Sequence, residues 1–320
     1  MSAIAPAQRP TRLRNNQGIL VVAALLVALL IFGAFISDRF RTLSNILNIL
    51  EQSTGLALVS LGQTLTILTG GIDLSVGSLI SLLSTLTSGL IAGKASMVLP
   101  VAIGVLLLGL LVGIANGLLI IWLRVHPLIV TLGMGAVLQG IVLLYSLGPA
   151  GAVPPGFNYL AYGRLLGVPV GAIVIVVLFL LVGLFLRYAR LGRYIYAVGD
   201  DEAGARLMGL PRARVLLTVY GFSGFCCGLA AIYLTSRFSV GQPYTGLNYT
   251  LASITPVLVG GTLLSGGKGG VLGTLLGVYL ISLINNVLNF MDVSTHYQLI
   301  AQGLIVIAAV SIYVEKKKRV

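Results

Sequence analysis

The chain has 320 residues, of which 57% are hydrophobic and only 9% are charged, and its formal net charge is +12 at pH 7. A soluble domain carries about 25% charged residues, so this composition excludes a soluble globular protein. The mean hydropathy of +1.04 instead predicts a chain for which lipid is the main solvent. The basic residues lie between apolar stretches and at the two ends, not in a patch interleaved with aromatics, which argues against a nucleic acid partner.

Ten apolar segments are candidate transmembrane helices, since a helix needs about 20 residues to cross the hydrocarbon. They are 19–36, 47–69, 74–92, 98–121, 128–147, 168–187, 214–234, 249–264, 270–288 and 297–314. The first could be a signal peptide, but it is longer than the usual apolar core of about 7–15 residues and no clean cleavage site follows it. We predict an all-α polytopic membrane protein, with a single transmembrane domain over 1–320.

The distribution of lysine and arginine predicts the orientation, because cytoplasmic loops are enriched in these residues. Ten spans place both termini on one side of the membrane, and that side carries 15 of the 20 basic residues. We therefore predict a cytoplasmic tail over 1–18, a cytoplasmic loop over 187–214 and a cytoplasmic tail over 315–320. Nine spans would put the termini on opposite sides and remove the bias.

An internal repeat indicates two related halves, a common design among transporters. Five residues of one segment recur 190 residues later: Gly70, Gly71, Leu74, Ser75 and Gly77 match Gly260, Gly261, Leu264, Ser265 and Gly267. In the predicted orientation both copies enter from the cytoplasmic side, so the repeat would be parallel and not inverted.

The first copy of the repeat interrupts an apolar stretch with glycines and one acid, Asp73. An acid and irregular backbone at membrane depth are typical of a pathway or gate. Alternatively, Asp73 and Ser75 cap the helix that begins at Leu74, in a short cytoplasmic turn. The residues predicted for a translocation pathway or gate are Gly70, Gly71, Asp73, Ser75, Asn116, Gly260, Gly261 and Ser265.

The second copy does not match a nucleotide-binding loop. A P-loop needs glycine, four residues and then Gly-Lys-Ser/Thr, whereas Thr262 stands at the first position and Gly269 at the last. Neither His126 nor His296 has acids or cysteines at metal-ligand spacing, and no catalytic pair is evident. We predict a non-catalytic transport protein that itself binds neither a metal nor a cofactor.

Small and polar residues in the spans are predicted mainly to pack helices together. Glycines recur at four-residue spacing at Gly109–Gly113–Gly117 and Gly269–Gly273–Gly277, which lets helices approach closely in lipid. The adjacent Cys226 and Cys227 are interpreted as small core residues. Polar side chains in the spans favour interhelical hydrogen bonding, although together they suit a neutral polyol better than an ion: Gln63, Thr131, Gln139, Asn285, Asn286, Asn289, Gln298 and Gln302.

The cytoplasmic loop contains a predicted helix of about two turns outside the membrane. Acids at positions 200–202 favour its N-terminus, and Gly209 and Pro211 favour its end. Its apolar residues would be exposed unless a soluble partner covers them, and a helix resting on the lipid surface is the alternative. The residues predicted to dock are Asp200, Asp201, Glu202, Ala205, Arg206, Leu207, Met208 and Gly209.

Several motifs together resemble the ribose-type monosaccharide permeases of ATP-binding cassette importers. The resemblance runs from about residue 40 to the end and is carried by residues 67–78 (ILTGGIDLSVGS), 127–133 (PLIVTLG), 192–199 (GRYIYAVG), 259–269 (VGGTLLSGGKG) and 285–289 (NNVLN). Two stretches depart from the family pattern. Gly199, Asp200 and Asp201 stand where Gly-Gly-Asn is usual, and residues 249–254 (YTLASI) replace an element that usually carries two carboxylates.

The resemblance implies a bacterial inner-membrane permease for a ribose-like pentose or a hexose. It implies a second permease copy or a homologous permease, a periplasmic sugar-binding protein, and a cytoplasmic ATPase that carries ATP and Mg²⁺. It also implies that residues 200–209 form the coupling helix, which seats in a groove of the ATPase. An ion-gradient-driven carrier of a small polar solute is the alternative, and the scarcity of charges in the membrane argues against it.

Overall fold

The computed structural model describes residues 13–294, 296–300, 303–305 and 307, and side chains from residue 19 onward. Most of the described part is helical, which agrees with the all-α prediction. Its helices are α1 (Leu13–Ile36), α2 (Leu43–Leu68), α3 (Val76–Ile91), α4 (Val98–Leu123, after a 3₁₀ turn at Ala95–Met97), α5 (Pro127–Tyr145), α6 (Tyr159–Tyr162), α7 (Val170–Tyr188), α8 (Arg190–Asp200), α9 (Glu202–Leu207), α10 (Arg212–Phe238), α11 (Tyr249–Ala252), α12 (Ile254–Val259) and α13 (Val271–Phe290). A small antiparallel hairpin pairs β1 (Arg164–Leu165) with β2 (Val168–Pro169).

Six helical segments of the described part have the length and apolar composition needed to cross a membrane. They are Ile19–Ile36, Ala95–Leu123, Pro127–Tyr145, Val170–Tyr188, Arg212–Phe238 and Val271–Phe290. Each coincides with one of the ten predicted segments, so the chain is a multi-pass membrane protein. The tenth predicted segment, 297–314, lies mostly outside the described residues.

Helix α10 is the centre of the bundle and packs against α2, α3 and α4. Its glycines allow this, because a side chain at Gly224 would collide with the backbone of Gly109 on α4. Cys226 and Cys227 are buried on α10, which confirms that they are core residues. Helix α1 packs mainly on α13 and leaves apolar side chains such as Phe35 exposed, as a lipid-facing helix would.

The eighth predicted span, 249–264, is not one continuous helix. Helices α11 and α12 end at Val259, and 11 residues cover only about 16 Å, roughly half of the hydrocarbon core. The chain reaches Tyr249 through residues 239–248, which form turns instead of a helix. We call residues 239–248 the irregular segment.

The two repeat copies share one backbone motif, in a register that differs by one residue from the sequence match. Gly71 N–H donates to Thr66 C=O at 3.0 Å, and Thr262 N–H donates to Val257 C=O at 3.1 Å. Each bond closes a helix C-terminus around a glycine with positive φ, Gly70 in the first copy and Gly261 in the second. The structural offset is therefore 191 residues and not 190.

Candidate functional site

Asp73 lies at the centre of the break between α2 and α3, with 1% of its surface exposed. Its Oδ1 accepts hydrogen bonds from Ser75 N–H at 3.0 Å and Ser75 Oγ at 2.6 Å. Its Oδ2 accepts from Ser223 Oγ of α10 at 2.9 Å. No lysine or arginine of the described residues pairs with it, so hydroxyls, one N–H group and the N-terminus of α3 are its polar partners.

The residues around Asp73 are also tied to neighbouring helices. Asn116 of α4 donates to Ser75 Oγ at 2.9 Å. Thr131 of α5 accepts from Leu74 N–H at 3.0 Å and donates to Ile72 C=O at 3.1 Å. The Gln63 amide of α2 faces both backbone groups of Asp73 at 3.3 Å. Helices α2, α4, α5 and α10 therefore hold the break in place, and these polar side chains bond across helices as predicted.

Both interpretations of Asp73 find some support in this geometry. The bonds to Ser75 are those of a cap at the start of α3, although Ser75 and not Asp73 is the residue that precedes the helix. The acid is also buried within the bundle and not in an exposed turn. Asp73, Ser75 and Asn116 are all buried, and their assignment to a pathway or gate stays a prediction.

Replacing Asp73 separates these two roles. Asp73→Ala is expected to lower the melting temperature of the purified protein clearly, because buried Ser75 N–H and Ser223 Oγ would lose their acceptor, at about 1–3 kcal/mol each. Asp73→Asn keeps the shape and one acceptor oxygen, so a smaller loss is expected. Thermal unfolding in detergent measures both. An unchanged melting temperature for Asp73→Ala, together with lost transport, would contradict the capping role and favour the pathway.

The second glycine copy borders a cavity of about 390 Å³ between α7, α8 and α13. Gly260 and Gly261 line it together with Arg187 and Tyr196, whereas Ser265 is exposed. The Tyr196 hydroxyl donates to Gly269 C=O at 3.0 Å, and burial raises the pKa of this phenol. The predicted pathway residues therefore divide between a packed break around Asp73 and a second, more open site.

The cytoplasmic loop over 187–214 carries the residues predicted to dock, and we call it the docking loop. It forms two helices where one was expected. Helix α8 was not predicted, and α9 has six residues. Asp201 caps α9 by accepting from Gly204 N–H at 3.0 Å, and Glu202 pairs with Arg212 Nε at 2.6 Å. Leu207 is 90% exposed and Met208 71% exposed, so the structure gives these apolar side chains no cover within the described chain.

Of the other residues predicted to dock, Ala205 is buried while Asp200, Arg206 and Gly209 are exposed. Gly209 has a φ of +70° and so takes the left-handed conformation that ends a helix. Ala205 anchors α9 to the bundle, and the exposed residues surround Leu207 and Met208. The docking assignment itself stays a prediction.

The docking loop contacts the end of α2, just before the first glycine copy, and the second glycine copy itself. The end of α8, at Gly199, contacts the backbone of Leu68 and Gly267 so closely that a side chain there would collide with both. Gly267 N–H donates to Leu68 C=O at 3.0 Å. The last residue of α2, the end of α8 and the second glycine copy therefore meet at one end of the bundle.

A second cavity, of about 470 Å³, lies between α2, α13 and the irregular segment. Among the residues that line it are Asn285, Asn286 and Gln298, which were noted in the sequence, and Gln52, Gln242, Tyr244 and Asn248, which were not. The last three lie in a stretch without helical periodicity. Only the fold shows that this stretch turns into the bundle.

Comparison with known proteins gives consistent matches over most of the chain. Residues 45–310 match the family described as branched-chain amino acid transport system / permease component. The chain is 38% identical over 304 residues to the ribose import permease protein RbsC of Escherichia coli (strain K12), covering 92% of this chain and 93% of that protein. It is 38% identical over 288 residues to RbsC of Bacillus subtilis (strain 168), covering 89% of each. It is 36% identical over 303 residues to the D-allose transport system permease protein AlsC of E. coli, covering 93% and 91%. No solved structure matches.

Proposed function

Because the chain belongs to the family of branched-chain amino acid transport system permease components, we propose that it is the transmembrane permease subunit of an ATP-binding cassette importer for a monosaccharide. As a permease component it is a transport protein and not an enzyme. Its substrate in this proposal is a ribose-like pentose or a hexose. The observation that carries the proposal is the 38% identity to a ribose import permease, which extends over 92% of this chain.

The structure supports this proposal through the docking loop. Helix α9 ends at exposed Leu207 and is followed by exposed Met208, and apolar side chains at a short helix outside the membrane suit a groove on a soluble partner. In the proposal that partner is a cytoplasmic ATPase of the sugar type, which binds ATP and Mg²⁺. Closure of the ATPases would move α8 and α9, and the contacts of Gly199 and Gly267 would pass the motion to the bundle.

The proposal includes ten spans with both termini in the cytoplasm of a bacterial cell, and a place in its inner membrane. The excess of basic residues on one side supports this orientation. The structure separates two ends of the bundle: α9 lies at one, and the β1–β2 hairpin lies at the other, where Arg164 pairs with Glu51. Labelling of Asn248→Cys from one face of the membrane or the other tests the orientation.

Two further partners complete the proposed importer. One is a second copy of this permease or a homologous permease, and the other is a periplasmic sugar-binding protein. The family's permease components work as parts of importers of this kind, which supports both partners in general terms.

Uptake by the reconstituted complex tests the proposed function. Proteoliposomes that contain the permease, its genomic-neighbour ATPase and its sugar-binding protein are expected to accumulate radiolabelled D-ribose or D-allose only when ATP is present. The control complex carries an ATPase that binds but cannot hydrolyse ATP, and it should accumulate neither sugar. Accumulation driven by a proton or sodium gradient without ATP would overturn the proposal in favour of a secondary carrier.

A further inference from the structure

The irregular segment runs deep into the bundle along α3. Gly241 N–H donates to Ser88 Oγ at 2.8 Å, near the end of α3, and Gly246 N–H donates to Ser81 Oγ at 2.9 Å. Ser81 lies ten residues before Ile91, the last residue of α3, and ten helical residues span about 15 Å. The irregular segment therefore reaches roughly halfway through the hydrocarbon core.

One side of the irregular segment is fixed by protein. Besides the two serine hydroxyls of α3, the Gln139 amide of α5 donates to Pro243 C=O at 3.1 Å. Gly241 and Gly246 lie so close to the backbone of α3 that neither position has room for a side chain. Serines on α3 and glycines on the segment thus let a non-helical chain pack directly against a helix.

The other side of the irregular segment faces the 470 Å³ cavity. Gln242, Tyr244 and Asn248 line the cavity and are exposed, and their side chains make no hydrogen bond within the described part of the chain. Non-helical backbone and unpaired amides at membrane depth are tolerated only where they meet protein or water. These groups therefore need water or another polar partner in the cavity, which is not a lipid-facing groove.

The chemistry of the lining favours a neutral polyhydroxyl compound. No charged side chain is among the described residues that line the cavity, so it offers little to an ion. Amides such as Gln52 and Asn248 both donate and accept hydrogen bonds, as a hydroxyl-rich ligand requires. The rings of Tyr244 and Tyr249 add apolar faces with a polar edge. The volume lies within the range of about 300–1,000 Å³ that is usual for small-molecule sites.

We propose that this cavity is the site at which the permease holds its solute during passage, with Gln242, Tyr244 and Asn248 of the irregular segment as ligands on one wall and Ser282 of α13 on the other. The proposal rests on the proposed function and names the substrate site within it. It also explains why the irregular segment and two short helices stand where a full-length span was predicted. A continuous helix would bond its backbone groups internally and fill the cavity with side chains.

Protection from labelling tests occupancy in the complete importer. Both native cysteines are fully buried, so Asn248→Cys introduces one accessible thiol. A membrane-impermeant maleimide added from the periplasmic face is expected to label it, and D-ribose or D-allose, whichever the wild-type complex transports, is expected to slow labelling at least threefold. The matched control is Ser96→Cys, since Ser96 is exposed near the same end and does not line the cavity, and the sugar should not change its labelling.

Substitution of the proposed ligands tests whether the cavity is needed for sugar uptake. The double variant Gln242→Leu with Asn248→Leu is expected to lower sugar uptake at least tenfold while the complex still assembles on size exclusion, and the control Ser96→Leu should transport like the wild type. This inference alone is overturned if the wild-type complex transports the sugar, the sugar does not slow labelling of Asn248→Cys, and the double variant transports normally. Failure of the wild-type complex to take up either sugar with ATP would instead overturn the proposed function.

Discussion

A permease that carries Leu207→Asp together with Met208→Asp is expected to insert and fold normally but to lose its ATPase partner, and sugar uptake with it. Leu207 ends α9 and Met208 follows it, with side chains 90% and 71% exposed, and α9 is held by its own cap at Asp201 and by the Glu202–Arg212 ion pair. The substitutions therefore leave the contacts that hold α9 untouched. Placing two carboxylates in an apolar interface carries a desolvation penalty of several kcal/mol.

The expected loss of affinity is at least a hundredfold, since about 1.4 kcal/mol corresponds to a factor of ten. Co-purification of the ATPase in mild detergent and ATP-driven uptake measure it. The matched control is Leu166→Asp, because Leu166 is 98% exposed on the β1–β2 hairpin at the opposite end of the bundle. Retention of the ATPase by the double variant would show that α9 is not the docking site.

Gly224→Leu is expected to prevent the bundle from folding. Helices α4 and α10 cross with their backbones in contact, since a Cβ at Gly224 would overlap Gly109 C=O and one at Gly113 would overlap Tyr220 C=O. Larger side chains force such helices apart. Overpacking in a core costs about 1–3 kcal/mol even when the neighbours can move, and here the neighbours are backbone atoms. Because α10 also packs against α2 and α3, separating it from α4 disturbs the whole bundle.

Size-exclusion profiles in detergent measure this effect, with aggregated or degraded protein expected for Gly224→Leu and a partial loss for Gly224→Ala. The matched control is Gly104→Leu on α4, five residues before Gly109, where a Cβ would meet no atom within 4 Å. That variant should elute like the wild type. A monodisperse, transport-competent Gly224→Leu protein would contradict the close crossing.

Sequence patterns located the long spans well. The apolar segments predicted at 98–121, 128–147 and 168–187 coincide with α4, α5 and α7 within a few residues. Each is apolar along most of its length and ends near arginine, glycine or proline, so composition alone marks it. The glycine stripe on α4 was also predicted to pack helices, and its close approach to α10 confirms this. The second stripe is confirmed only from Gly273 onward, since Gly269 precedes α13.

Sequence patterns failed where the chain is irregular inside the bundle. The predicted span 249–264 misses the irregular segment because turn residues look alike whether they lie in a surface loop or beside a buried helix. The partners that make the segment possible, Ser81, Ser88 and Gln139, are distant in the chain. The repeat was detected, but its one-residue shift depends on which glycine takes positive φ, and a count of identities cannot show that.

The sequence by itself determined that this chain spans a membrane many times, carries no P-loop and belongs with sugar permeases, because hydropathy and motif spacing are local properties of the chain. Only the tertiary structure decided that Asp73 is buried beside a hydroxyl of α10, that the docking loop contacts the end of α2 and the second glycine copy, and that Gln242 and Asn248 face a cavity. Each of these depends on which distant backbones can approach one another. In this bundle glycines permit that approach, and serine, asparagine and glutamine side chains complete the hydrogen bonds that it requires.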